Sequence, residues 1–219
     1  MVPTARESLL EAAGAALSAR PWPAVRMVDV AASAGVSRQT LYNEFAGKTG
    51  LGHALVRRDA AWYLDGVERA LLSPGGRAER LVAVAEWTVR ASQTRPLVRA
   101  LLTGCWNGNL PVPAGRGVRP GLPALGPGEL VRSVRERASA AFAPAQGRAR
   151  EQGREHGRES GREHGRESGR EQEQWAQRCE LAVRLAMSYL LAPAEVPGRP
   201  GSAELLRLFN GPNPKAEGR

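Results

Sequence analysis

Between Arg38 and Asn43 five of six side chains can form hydrogen bonds: Arg38, Gln39, Thr40, Tyr42 and Asn43, interrupted by Leu41. Guanidinium, amide and hydroxyl groups of this reach suit base edges and phosphates in a DNA major groove. That chemistry requires a rigid element presenting one polar face while its other face is held. The sequence predicts a helix over 38–45, with Leu41 and Phe45 at i and i+4 turned inward. Ser37 stands where a side-chain oxygen can cap its start.

A partner helix precedes it. Val30, Ala31 and Ala34 lie on one helical face, Gly35 follows at the left-handed position that ends a helix, and Val36 plugs the turn. Ala31 is small where the helices cross, Gly35 turns the chain four residues later, and Leu41 enters the shared core six beyond that. This spacing specifies a helix-turn-helix. Gly47-Lys48-Thr49 then sets a cation at the start of another helix, with Thr49 expected as its N-cap. Free N–H groups beside a lysine form a phosphate-gripping device. Arg38, Gln39, Thr40 and Asn43 are the expected base or near-base contacts. Ser37, Tyr42, Lys48 and Thr49 are the expected phosphate contacts.

As a set, Asp29-Val30-Ala31, Ala34-Gly35-Val36-Ser37, Thr40-Leu41-Tyr42, Phe45 and Lys48-x-x-Leu51 resemble the TetR family of bacterial transcriptional regulators. The resemblance covers about the first quarter of the chain. It implies a three-helix DNA-binding domain over 1–50, completed by a first helix that Thr4 caps and that runs from Ala5 to about Ala19. Trp22 would fill the aromatic site of the connection as core packing. The rest, 51–219, would be a helical effector-binding and dimerisation domain. Two departures stand out. Arg26 replaces the threonine that opens the second helix, and arginine cannot accept the N–H bonds of a cap. Its loss weakens the start by about 1 kcal/mol, although the guanidinium could still reach phosphate. Gly50 and Gly52 would weaken the fourth helix by up to ~1 kcal/mol each.

The 219 residues carry a net charge of +9 and a pI of about 10.8, which favours an anionic partner such as double-stranded DNA. The excess is almost all arginine, since Lys48 and Lys215 are the only lysines. In a chain also rich in Ala, Gly and Pro, that excess permits DNA binding without deciding it. No apolar run approaches the ~18 residues that span a bilayer, and no signal peptide opens the chain. Cys105 and Cys179 fit no metal or redox spacing. A reduced cytoplasmic, nucleoid-associated protein is expected.

Further along, helices are expected over 49–72 (Leu51, Leu55, Trp62 and Val67 inward), 77–95 (Leu81, Val84, Ala85, Trp87 and Thr88 inward), 97–106, 129–142, 174–192 and 202–209. A Pro- and Gly-rich loop is expected over 107–128. No convincing strand alternation occurs, so the fold class is all-α with about nine helices. Within a low-complexity insertion over 144–173, five tetrads run from Gly153: GREH, GRES, GREH, GRES, GREQ. Glu to the next Arg at i+3 mildly favours helix, while a glycine per tetrad opposes it by ~1 kcal/mol. The tract is expected to be disordered or a fraying, solvent-exposed helix without a dedicated role. His156 and His164 recur with the repeat, eight apart, and suit no metal. The 174–192 helix is apolar around much of its circumference. One neighbouring layer cannot cover it, so a homodimer through 174–192 and 202–209 is expected.

Enzymatic chemistry finds no support. Gly47-Lys48-Thr49 ends like a phosphate-binding loop, but the glycine that pattern needs would fall at Tyr42, and helix rather than strand precedes it. There is no HExxH or GxSxG, and Cys105, without a histidine partner, is expected to be a buried thiol. Neither a cofactor nor a metal site is expected. The resemblance implies a small-molecule effector of unknown identity, with Trp87, Trp106 and Tyr189 as candidate lining residues, and a repressor acting on a pseudo-palindromic operator. The rival expectation is a helical small-molecule-binding or scaffold protein whose helix-turn-helix serves packing alone.

Overall fold

The computed structural model describes residues 3–112, 126–143 and 160–191, with backbone alone for 160–167. Regular structure among the described residues is all helical, without strand: α1 (Ala5–Ala19), α2 (Met27–Ser33), α3 (Arg38–Phe45), α4 (Lys48–Leu71), α5 (Arg77–Thr94), α6 (Pro96–Thr103), α7 (Pro127–Ala141) and α8 (Ser160–Leu191). The all-α expectation holds. The helix expected at 202–209, most of the 107–128 loop, and the repeat before Ser160 lie outside the described residues.

Contacts gather the chain into two compact units. One comprises Met1–Tyr63 and Ala91–Leu130, the other Leu64–Arg90 and Val131–Arg219.

In the first unit the α1 start follows from sequence. The Thr4 side chain accepts from the Glu7 N–H, and the Glu7 carboxylate accepts from the Thr4 N–H at 2.8 Å, a reciprocal capping box. These bonds from Thr4 hold the Glu7 carboxyl below its ordinary pKa, the backbone bond contributing most. Leu9, Leu10 and Ala13 of α1, Val30 and Ala31 of α2, and Leu41 and Phe45 of α3 are buried together with Leu51 and Leu55 of α4. Each buried leucine contributes roughly 1.5–3 kcal/mol. Trp22 is buried in the connection, as expected, and its N–H donates to the Asn109 carbonyl at 2.8 Å. Leu97, Val98, Leu101 and Leu102 form the inward face of α6, which ends at Gly104 with φ +71° rather than running on to Trp106.

The second unit buries Val67 and Leu71 of α4 with Leu81, Val84, Ala85 and Thr88 of α5, and the Thr88 hydroxyl donates to the Val84 carbonyl. From α8 come Ala176, Cys179, Ala182, Val183, Ala186 and Leu190, a stripe at 3.6-residue spacing. Leu181, Leu185 and Leu191 remain exposed. The apolar circumference of α8 is therefore split into a stripe buried within its own unit and a separate exposed one.

Helix α8 begins within the repeat, fourteen residues before the expected start at 174. What stabilises its first described side chains is polar contact. The Gln172 amide donates to the Ser139 carbonyl at 2.7 Å, Glu171 pairs with Arg77, and Glu173 pairs with Arg135.

Candidate nucleic-acid interface

Helix α2 ends as its sequence predicts. Gly35 adopts φ +67°, its N–H donates to the Ala32 carbonyl at 3.1 Å, and the Val36 N–H donates to the Ala31 carbonyl at 3.0 Å. This paired closure satisfies the last carbonyls of α2 and fixes the direction in which the chain leaves. Ser37 Oγ then accepts from the Thr40 N–H at 3.0 Å, capping α3. Both ends of the turn are locked by hydrogen bonds, so the axis of α3 is set by backbone geometry as well as by the burial of Leu41 and Phe45.

The far end of α3 is held too. Ala46 takes a left-handed conformation with φ +53°, and its N–H donates to the Tyr42 carbonyl. From α1, Arg6 reaches across: its Nη1 donates to the Glu44 carbonyl at 3.1 Å and pairs with the Glu44 carboxylate at 3.3 Å, and its guanidinium lies 4.5 Å from the Phe45 ring centroid. A cation on the last carbonyls of a helix is favourable for both charge and hydrogen bonding. Sequence reasoning missed Arg6, because no local pattern links residues thirty-eight positions apart.

The held helix leaves Arg38, Gln39, Tyr42 and Asn43 exposed, Tyr42 at 49%. Gln39 Nε2 donates to Asn43 Oδ1 at 2.9 Å, so the two amides form one unit one turn apart. Thr40 is half-buried, and its hydroxyl lies 2.8 Å from Ser37 Oγ. These two hydroxyls serve the cap as well as facing the outer edge.

Lys48 Nζ donates to the Pro23 carbonyl at 2.9 Å and lies 5.5 Å from the Trp22 ring centroid. The cation is thereby anchored on the α1–α2 connection at the start of α4. An ammonium has three donors, so this single bond leaves its charge available to a phosphate. Thr49 is exposed but lies inside α4, which starts at Lys48, so it does not supply the expected N-cap.

Arg26 occupies the N-cap of α2 without a side-chain cap bond, as its chemistry requires. Its guanidinium closes instead on Asp29, with Nε and Nη2 each 3.0 Å from a carboxylate oxygen. Arg26 holds the Asp29 carboxyl below its ordinary pKa chiefly through this bond. Asp29 in turn places a negative charge in the first turn of α2.

Gly50 and Gly52 have structural reasons. A Cβ at Gly50 would fall 1.8 Å from the Phe45 carbonyl oxygen, and one at Gly52 would meet the Pro111 Cβ at 2.9 Å and the Trp22 ring at 3.2 Å. Glycine there lets α4 pack directly on the end of α3 and under Trp22, which offsets its helix propensity.

The three candidate effector residues do not form a group within one unit. Trp106 is half-buried in the first unit, while Trp87 and Tyr189 are half-buried in the second. Trp87 packs on Gly66, where a Cβ would fall 2.0 Å from its ring, and Arg69 lies 5.9 Å from its centroid. Cys105, expected to be buried, is exposed. Cys179 is the buried thiol, and desolvation pushes its pKa up to about 12. Among the described residues no cluster of three or more His, Cys, Asp or Glu could hold a metal ion, and no helix is long and apolar enough to cross a membrane.

This capped, glycine-turned pair of helices has known relatives. Residues 9–55 match the profile described as bacterial regulatory proteins, tetR family. This stretch is a TetR-family helix-turn-helix domain. The HTH-type transcriptional regulator AlkX of Mycobacterium tuberculosis (strain ATCC 25618 / H37Rv) is 38% identical over 100 residues, 45% of this chain and 47% of that protein. The chain thus spans about half the length of the curated relative it matches. Beyond the TetR-family domain the likeness is one of fold. The TetR family repressor AlkX from Dietzia sp. strain DQ12-45-1b, implicated in biodegradation of n-alkanes, has 22% identity and a TM-score of 0.50, over 91% of this chain and 90% of that one. A tetR-family transcriptional regulator from Streptomyces coelicolor has 21% identity and a TM-score of 0.51, over 95% and 80%.

Proposed function

We propose that this chain is a non-enzymatic, sequence-specific DNA-binding transcriptional regulator, a repressor that reads a pseudo-palindromic operator as a homodimer in the cytoplasm, on the nucleoid. The observation that carries this reading is the exposed polar face of α3, held at its start by Ser37 and the Gly35 turn and at its end by Arg6. A helix fixed at both ends can insert a constant set of side chains into a major groove. Arg38, Gln39, Thr40 and Asn43 then meet base edges, while Ser37, Tyr42, Lys48 and Thr49 position phosphates. The naming of the M. tuberculosis relative as a transcriptional regulator supports the same reading.

In this reading residues 1–50 bind DNA and 51–219 dimerise and accept a small-molecule effector, with either Trp106 of the first unit or Trp87 and Tyr189 of the second as candidate contacts. The exposed Leu181, Leu185 and Leu191 of α8, together with 202–209, form the dimer surface. An effector acts only if it binds the DNA-free arrangement more tightly, so effector and operator must weaken each other by the same factor.

Selection of binding sites from a random duplex library, followed by sequencing, tests the reading. A two-fold-related motif is expected. Gln39→Ala and Asn43→Ala should each relax preference at particular base pairs by ~1–3 kcal/mol, whereas Lys48→Ala should weaken all sequences alike and lower the salt slope by about 1. Recovery of no motif by the folded protein at moderate ionic strength would overturn it.

A further inference from the structure

A cavity of about 710 Å³ opens in the first unit between α1, α4 and the start of α6. Its polar side is unusual for a helical core. Asp59 is buried and receives Arg95 Nη1 at 2.7 Å, with Arg58 Nη2 at 3.7 Å. Arg95 also lies 3.9 Å from the Trp62 ring centroid, and Trp62 lines the cavity. Two guanidinium groups therefore share one buried carboxylate, and the exposed Glu11 adds a second negative charge near Arg58.

Arg58 is underbonded. Its Nε–H is fully buried and has no hydrogen-bond partner among the described residues. A buried donor left unmatched is expensive, so the Arg58 head group is held by fewer bonds than its burial calls for. Desolvation accordingly pulls the Arg58 pKa below its ordinary value. The chain accommodates this guanidinium deliberately: Gly14, in the middle of α1, leaves the room, since a Cβ there would lie 2.5 Å from Arg58 Nη2. Leu10, Leu17, Leu55 and Leu97 supply apolar walls. Glu7 and Glu11 of α1, both exposed, line the outer side, with the Glu7 carboxylate engaged by Thr4.

We infer that this cavity is a binding site for a monocarboxylate with a compact apolar body, its carboxylate received by Arg58 and Arg95 and its body packed against Trp62 and the leucines. A guanidinium pair suits a planar carboxylate. The two rim glutamates repel a second negative charge, which selects monoanions over dianions such as phosphate. A cation would meet the arginines, and a neutral alcohol would offer them no charge-assisted hydrogen bond.

Calorimetric titration of the full chain tests this with benzoate, benzyl alcohol, benzylamine and inorganic phosphate. Benzoate is expected to saturate with a Kd at or below roughly 1 mM, and the other three to bind about tenfold more weakly or worse. Two variants probe the site: Arg58→Gln removes the donor, and Gly14→Ala displaces the guanidinium while keeping every charge. Each should weaken benzoate about tenfold with a melting transition like that of the parent, and if one fails to fold the other decides. No saturable heat with benzoate, equal binding of benzyl alcohol, or parental affinity in the folded variants would sink the proposal. The titration contains no DNA, so its outcome is independent of the regulatory reading.

Discussion

Cys105 and Cys179 show how far a residue's chemistry depends on where the fold puts it. Cys105 follows the left-handed Gly104 at the end of α6, exposed, with its N–H donating to the Thr103 hydroxyl at 3.2 Å. Cys179 lies in the buried stripe of α8, where desolvation holds it protonated up to about pH 12. Since the thiolate is the reactive form, a chromogenic disulfide reagent at pH 8 should label one thiol per folded chain, at Cys105 by peptide mapping, and both in denaturant. Rapid labelling of Cys179 in the folded chain would show that α8 opens. Sequence alone points to a buried Cys105 and assigns no burial to Cys179, because burial at these positions depends on partners far along the chain. By contrast, Thr4 with Glu7, Gly35 with Val36, and Ser37 with Thr40 act within a few positions of one another, and each local pattern is realised in the structure. The sequence signals fail where a partner is remote, as for Arg6 on Glu44 and Phe45, and Arg58 beneath Gly14.

At the scale of elements, α3 and α4 meet closely at Gly50. Gly50 reads as a weak helix former, yet a Cβ there would strike the Phe45 carbonyl oxygen. Gly50→Ala should therefore destabilise by about 1–3 kcal/mol, although alanine in an open helix would stabilise by up to about 1 kcal/mol. Urea denaturation gives the sign directly. A stabilised variant would mean that α4 slides away from α3 at no cost. The helices themselves were legible from their 3.6-residue apolar spacing, and so was the exposure of Arg38, Gln39, Tyr42 and Asn43 on α3. Their ends were less so: Gly104 stops α6 before Trp106, and α8 starts fourteen residues early, with Glu171, Gln172 and Glu173 held by Arg77, Ser139 and Arg135, which no local window contains.

At the scale of the molecule, the exposed Leu181, Leu185 and Leu191 of α8 stand outside the stripe that its own unit buries. If two chains pair there, Leu185→Glu should shift sedimentation from dimer to monomer while helical content stays unchanged, because the residue stands outside the buried stripe. A dimer that survives the change would move the subunit interface elsewhere. The same helix carries the tetrads from Ser160 to Gln172 in one continuous run with the packed stripe. Each tetrad adds four residues, about 6 Å of rise and a rotation some 40° beyond a full turn. A gain or loss of one copy within that span would work like a screw thread. It would change the bearing of whatever lies upstream as well as its distance, so copy number there sets an angle.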